Sequence, residues 1–334
     1  MNPLLRVEDL KVYFGSGSSA SGAVVAAVDG VSFEIGRGKT LGLVGESGSG
    51  KTTVGRAILR TIPLHAGSIR FQMNGESVDV SELTDKELRI FRREHMQLIF
   101  QDPYASLSPR MTVRDIIAEP LECQRFGTRA EIDARVRDVA AKCRLNLEFL
   151  RRFPHAFSGG QRQRICIARA LAANPEFIVC DEAVSALDVS IQADIINLLM
   201  DLQAELGLTY LFIAHDLSIV AQISSEIAVM YVGKLVEKAP AESIFRGPMH
   251  PYTKALISAI PRVDPDKRFE PMALAGEIPN PMALPPGCRF STRCPFARDA
   301  CQQAEPEWRE IATEHFVACH FAEELALAPE GRQR

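Results

Sequence analysis

The sequence predicts an α/β protein. It has a β-rich front, a parallel core with a helical insertion, and a proline-rich tail. Three observations predict it. Continuous apolar runs such as LTYLFIAH (208–215) and IAVMYV (227–232) have the length of buried parallel strands. A glycine-rich turn, GESGSGKT (45–52), stands between one such strand and a helix-patterned stretch. From Asp102 to about Asn174 the apolar spacing becomes i, i+3, i+4, as in VRDIIAEPL and EIDARVRDVAAKC.

In chain order, LLRVEDLKVYF (4–14) alternates like a half-exposed strand, and GSGSSASG (15–22) is a flexible Gly/Ser loop. VVAAVDGVSFEI (24–35) reads as two strands with a turn near Asp29-Gly30. TLGLVGESGSGKTTVGRAILR (40–60) is strand, turn and helix, and GSIRFQMNG and MQLIFQ add further strands within 64–101. After the helical insertion come EFIVCDE (176–182) and TYLFIAHD (209–216), separated by a helix over 190–206. Beyond about residue 245 proline becomes frequent and periodicity fades.

The chain has 334 residues, net charge −4, 46% hydrophobic and 24% charged residues, a soft expectation of two domains or one large domain with an appendage. No apolar stretch approaches the ~18 residues of a membrane span. The start, MNPLLRVEDL, lacks the basic and apolar regions of a signal peptide, so a soluble cytoplasmic protein is expected. A mildly acidic chain without basic blocks argues against nucleic acid as a partner. Of eight cysteines, Cys123, Cys143, Cys166 and Cys180 sit in apolar surroundings and read as core thiols, whereas Cys288, Cys294, Cys301 and Cys319 crowd the last fifth.

Gly45, Glu46, Ser47, Gly48, Ser49, Gly50, Lys51 and Thr52 fit G-x-x-x-x-G-K-[ST], with Thr53 opening the helix behind them. Glycines let backbone N–H groups converge on phosphate oxygens, and the helix adds its positive end. Lys51 would reach the β- and γ-phosphates and the Thr52 hydroxyl would ligate Mg²⁺. A random chain of this length matches on the order of once in a hundred. At the end of a buried strand, Asp181 would hold the Mg²⁺ shell and Glu182 would polarise the attacking water. The bland alternative is acidic residues that merely end a strand. Ser158, Gly159, Gly160 and Gln161 open a second helix with an anion-ready N-terminus, which is useful if it faces a nucleotide held by another subunit. An ordinary cap would not explain Gly-Gly-Gln after it.

Together, GESGSGKT, SGGQ, VCDE, the SALD of 185–188, Gln101 and His215 resemble the nucleotide-binding domain of ABC ATPases, in that family's order across roughly 250 residues. The resemblance implies a P-loop NTPase fold with a RecA-like core, an antiparallel β subdomain and a helical subdomain. It assigns Gln101 to sensing Mg²⁺ and the γ-phosphate, Asp188 to the dimer-contacting turn, and His215 to the switch beside the γ-phosphate. Phe14 takes the place of the aromatic that stacks on adenine, with Tyr13 as substitute. Longer strings, FQDPYASLSPRMTVRDIIAEPL, FPHAFSGGQRQRICIARAL, DVSIQADIINLL and HPYTKAL, are similar to ATPase subunits of bacterial oligopeptide and dipeptide importers. VCDEAVSALD is most like the second, F-type, ATPase of that pair. Ala183 and Phe157 depart from the usual proline and leucine.

The expected organisation is a nucleotide-binding domain over 1–250, with its helical subdomain at about 102–174, and a C-terminal extension over 251–334. The resemblance implies an ATPase that closes head to tail on ATP and reopens after hydrolysis. The implied partners are a sister ATPase or a second copy, two membrane permeases and an extracytoplasmic peptide-binding protein. They would place the chain peripherally on the cytoplasmic face of the inner membrane. The same machinery importing nickel or glutathione, and a soluble non-transport ABC ATPase, are the alternatives.

The tail spaces its thiols C-x5-C-x6-C-x17-C from Cys288 to Cys319. Four thiolates suit iron–sulfur or zinc by softness, and the tight C-x2-C zinc knuckle is absent. His315 and His320 keep a Cys3His zinc site open, and unmetallated thiols are the third reading. The family resemblance implies a [4Fe-4S] cluster on Cys288, Cys294, Cys301 and Cys319.

Overall fold

The computed structural model describes residues 3–15, 24–73, 75–260 and 272–325; the Gly/Ser segment expected at 15–22 lies almost wholly outside them. Contacts divide the chain into two interleaved units, one built mainly from Phe71–Ile213 and the other from Arg6–Glu34, Leu41–Arg70 and Ala214–Arg334.

In the first unit the strands Met96–Ile99, Phe177–Asp181 and Thr209–Ile213 run parallel, with Ile99 opposite Cys180 and Asp181 opposite Ile213. Phe177–Asp181 and Thr209–Ile213 are buried along their whole length, which is why they are apolar runs rather than alternating ones. Helices Val113–Gln124, Arg129–Lys142 and Gly159–Ala172 pack on one another as the helical insertion. Capping sets their starts: the Thr128 hydroxyl accepts from Glu131 N–H while the Glu131 carboxylate accepts from Thr128 N–H. Cys143, Cys166 and Cys180 are core thiols as expected, but Cys123 is exposed. It stands in the last turn of Val113–Gln124, two residues beyond Leu121, the last buried residue of that helix, so its apolar sequence neighbours are not its spatial ones.

In the second unit the fully buried strand Thr40–Val44 pairs in parallel with Glu226–Tyr231, which pairs antiparallel with Lys234–Pro240. The tail does not stay irregular. His315–Val317 adds to Lys234–Pro240, Glu237 facing Val317, and Arg309–Ala312 adds to His315–Val317. Three-residue and four-residue strands carry too little periodicity to stand out in a proline-rich stretch.

The two strands expected over 24–35 are one, Val25–Gly36. Gly30 takes a left-handed φ of 73°, and buried Val28 and Val31 stand three residues apart where plain alternation would give two. The pair Asp29-Gly30 therefore bends the strand as a bulge does instead of reversing it. Among the described residues no helix is long and apolar enough to cross a membrane.

Candidate functional site: a glycine-rich loop, a strand-end carboxylate pair and a braced thiol tail

In the second unit, Thr40–Val44 delivers the loop 45–50 to the helix Lys51–Ile58. Two glycines make the path. A Cβ on Gly45 would sit 2.1 Å from the Met230 carbonyl oxygen, and one on Gly50 2.2 Å from that of Ala27, both at positive φ. Gly50 is the N-cap, no side chain caps the helix, and no acidic residue occupies its first turn, leaving an anion-ready end. The Lys51 ammonium is buried against the loop, donating to the Gly45 carbonyl at 2.8 Å and the Glu46 carbonyl at 2.9 Å. Ser47 and Gly48 are exposed, Thr52 and Thr53 half-buried.

Phe14 is 44% exposed at the end of its strand, its ring open for stacking. Tyr13 is engaged: its hydroxyl donates to Asp29 at 3.1 Å and its ring lies 4.5 Å from that of His65. Burial works to raise the Asp29 carboxyl, but Lys234, Arg289 and the Tyr13 hydrogen bond together hold it below its usual value. His215 is exposed just after Ala214, whose N–H donates to the Leu43 carbonyl at 3.2 Å.

In the first unit Asp181 ends its strand only 5% exposed. Glu182 follows at a left-handed φ of 49°, its N–H held by the Ile213 carbonyl at 3.0 Å. This conformation is uncommon outside glycine and is seen often at functional sites. The Gln101 amide donates to the Glu182 carboxylate at 2.6 Å, so these two expected site residues meet. Ser158 and Gln161 form a complete capping box on the helix Gly159–Ala172. The glycines behind it sit against the turn carrying Asp188: a Cβ on Gly160 would stand 2.5 Å from Ile191, and one on Gly159 3.3 Å from Leu187. Asp188 is the N-cap of Val189–Leu206, yet its exposed side chain makes no capping bond. Phe157 is buried edge-on to Phe149, with centroids 6.4 Å apart, which accounts for the bulkier residue there; Ala183 is simply buried.

The tail's thiols are all free; Cys301 is buried and the other three half-buried. Burial pushes Cys288 up to about 12 and Cys294 up to about 11, with the neighbouring tail sulfurs adding to the rise, and it raises Cys319. Backbone N–H groups of Phe290, Phe296 and Phe321 donate to the sulfurs two residues before them and act in the opposite sense. Such N–H···S bonds suit sulfurs that carry negative charge. Yet among the described residues no three His, Cys, Asp or Glu side chains are arranged to hold a metal ion. The expected cluster is thus matched by donor chemistry but not by closed geometry. His315, offered as a fourth ligand, has its Nε2 against Glu237 at 2.7 Å, and the His320 ring meets the Ala304 carbonyl at 3.0 Å.

Sequence reasoning missed what the tail does at the phosphate loop. The Glu46 N–H donates to the Tyr252 hydroxyl at 2.8 Å, and the Arg293 guanidinium grips the Glu46 carboxylate at 2.7 and 3.1 Å. Arg289 donates to the Val232 carbonyl at 2.6 Å and pairs with Asp29. The only available sign was that both arginines lie within the four-cysteine segment.

Two family models match: "ABC transporter" over residues 28–185 and "Oligopeptide/dipeptide transporter, C-terminal region" over 236–301. The chain is 52% identical over 317 residues to a putative peptide import ATP-binding protein of Brucella ovis, spanning 95% of this chain and 97% of that protein. It is 51% identical to the putative oligopeptide transport ATP-binding protein YkfD of Bacillus subtilis, over 96% and 95%. Against the oligopeptide transport ATP-binding protein AppF of the same organism it is 48% identical over 95% and 97%. Among solved structures, the ATP-binding cassette MJ0796, a dimer in a post-hydrolysis state bound to ADP and Pi, superposes with TM-score 0.62 at 26% identity, covering 71% of this chain and 98% of that one. With a phosphate loop and a strand-end carboxylate pair in place, and relatives half identical along nearly the full length, the chain belongs to the ABC transporter ATP-binding proteins, in the branch that carries the oligopeptide/dipeptide C-terminal region.

Proposed function

We propose that this chain is the ATP-hydrolysing subunit of a bacterial peptide importer. The observation that carries the enzymatic half is Glu182, set at the end of a buried strand and held by Gln101 at 2.6 Å. The peptide half is supported by the relatives' names and the matched C-terminal region.

On this reading the open helix end at Gly50 and the loop N–H groups bind the triphosphate, and Lys51 leaves its loop carbonyls for the β- and γ-oxygens. Thr52, Asp181 and Gln101 offer the hard oxygen donors that Mg²⁺ prefers. Bound there, Mg²⁺ would neutralise charge on the phosphates. Glu182 orients and deprotonates the attacking water, Gln101 holds that carboxylate in place, and His215 contacts the γ-phosphate. Phe14 stacks on adenine. Ser158, Gly159, Gly160 and Gln161, with Asp188 alongside, face the nucleotide of a second ATPase, either a sister subunit or another copy. Two permeases and an extracytoplasmic peptide-binding protein complete the assembly, with this chain peripheral on the cytoplasmic membrane face. The nucleotide-binding domain is assigned to 1–250, its helical subdomain to about 102–174, and the extension to 251–334.

The test is Glu182→Gln, tagged and recovered from native membranes with ATP. Expected are retained ATP binding, turnover lowered by ~10²–10⁴, and co-recovery of two permeases with a peptide-binding protein. Turnover within about tenfold of the parent would remove Glu182 from its role. Recovery of soluble or nucleic-acid partners alone would overturn the transport reading.

The four tail cysteines are proposed to take up a soft metal, an iron–sulfur cluster before zinc, supported by thiol donors that already accept backbone N–H bonds. Iron with acid-labile sulfide in anaerobically purified protein would support the cluster, zinc would replace it, and neither would remove the proposal.

A further inference from the structure

We infer that Arg293 is a positioning residue for the phosphate loop: by gripping Glu46 it makes ATP affinity depend on the four-cysteine tail. The inference rests on the reading of Gly45–Thr52 as the ATP phosphate site.

Glu46 is a carboxylate inside a loop that must receive a polyanion. Left bare, it would repel the phosphates and compete with them for Lys51 and the loop N–H groups. Its charge is met by one bidentate partner, the Arg293 guanidinium at 2.7 and 3.1 Å, in a pair whose side chains are only 9% and 28% exposed. Screening is weak in such a place, and the fork geometry fixes orientation as well as charge. The backbone is fixed too, since the Glu46 N–H is spent on the Tyr252 hydroxyl at 2.8 Å rather than left to wander. Arginine and tyrosine therefore hold one loop residue at both its ends.

What holds the holders is the tail itself. Arg293 stands one residue before Cys294 in a tight turn: the N–H groups of Arg293 and Cys294 both donate to the Phe290 carbonyl, at 3.0 Å each. Cys288 N–H donates to the Cys301 carbonyl at 2.8 Å, tying that turn to the third cysteine. Phe290 sits edge-on to Tyr231 and tilted against Tyr252, with centroids 5.2 and 5.4 Å away. Any change of state at the thiols, by alkylation, oxidation or metal loading, thus acts on the turn that aims Arg293. The buried Arg293 Nε makes no hydrogen bond among the described residues, so packing alone does not account for an arginine here, whereas the Glu46 pair does.

The experiment is a double-mutant cycle on the full chain, Arg293→Ala and Glu46→Ala alone and together. It reads MgATP dissociation constants by equilibrium titration, KM and kcat for ATP, and melting temperature. Expected are a loss of MgATP affinity of about tenfold in Arg293→Ala, carried in KM rather than kcat, and partial rescue by Arg293→Lys. The double variant should bind no worse than Glu46→Ala alone, because Arg293 acts through Glu46. Alkylating the tail thiols of the parent should weaken MgATP binding in the same direction, and should do so less in Glu46→Ala. Parent-like affinity in Arg293→Ala, with only the melting temperature lowered, would overturn the inference and show a structural ion pair. Additive losses in the double variant would overturn it as well. Failure of the parent itself to bind MgATP would instead sink the phosphate-site reading, and this inference with it.

Discussion

Replacing Phe290 with alanine tests whether the four-cysteine tail is part of the nucleotide-binding core or hangs from it. The ring is 1% exposed and packs on Tyr231, Tyr252 and His250, with centroids 5.2, 5.4 and 5.6 Å away. Truncating a buried phenylalanine costs about 3–5 kcal/mol, part of it from aromatic pairs worth about 0.5–1.5 kcal/mol each. For 334 residues unfolding together, the unfolding entropy is about 0.7 kcal/mol per degree, so a loss of about 4 kcal/mol lowers the melting temperature by about 6 °C. Phe290→Leu keeps most of the volume and should cost about 1–2 kcal/mol. Differential scanning fluorimetry of the three proteins, with and without MgATP, reads both. A shift under about 1 °C in the alanine variant would refute the packing argument and make the tail a loose appendage.

Two further perturbations follow from the same geometry. Gly45→Ala puts a methyl 2.1 Å from the Met230 carbonyl oxygen at a φ of +154°, whereas Gly48→Ala meets nothing within 4 Å and bears only the strain of φ +78°. The φ strain is borne by the free and the bound loop alike, whereas the clash displaces the loop itself, so the first should lower nucleotide affinity by about tenfold or more and the second by about threefold or less; equal effects in a nucleotide titration would refute the ordering. His250 is buried and held neutral, its pKa pushed down to about 3, with its Nδ1 accepting from Tyr252 N–H at 3.1 Å. The unfolded chain therefore binds a proton that the folded chain refuses, and stability falls as pH drops below about 6.5, by about 2 kcal/mol at pH 5. Urea midpoints at pH 7.5 and 5 should show that loss in the parent and a flatter response in His250→Asn; identical slopes would show that His250 is not the group responsible.

Some of this protein is written in local sequence. The turn from Gly45 to Thr52 is one such feature, because Gly45, Gly48 and Gly50 take positive φ that glycine adopts freely, and the helix that follows begins at Lys51. Phe177–Asp181 and Thr209–Ile213 are buried on both faces, and continuous apolar runs report that directly. The start of Gly159–Ala172 was likewise legible, since Ser158 and Gln161 cap it through bonds spanning three residues. Each of these signals lives within a few residues of itself.

Other features depend on partners far along the chain. Asp29-Gly30 looks like a reversing turn, but the Asp29 N–H finds the Gly233 carbonyl at 2.9 Å and the strand continues. Cys123 looks buried by its neighbours and is exposed in the last turn of its helix, beyond buried Leu121. His315 looks like a metal ligand beside cysteines, yet folding pairs it with Glu237, a fully buried carboxylate that also accepts from the Met249 and His250 N–H groups. The grip of Arg293 on Glu46 joins residues 247 positions apart, and no periodicity or motif encodes a contact at that separation. Sequence alone determined the chemistry of the nucleotide site, because phosphate binding needs glycine torsions and a helix end that are local. Only the tertiary structure decided that the cysteine-rich tail is anchored on that site, because long-range ion pairs exist only once the chain has closed.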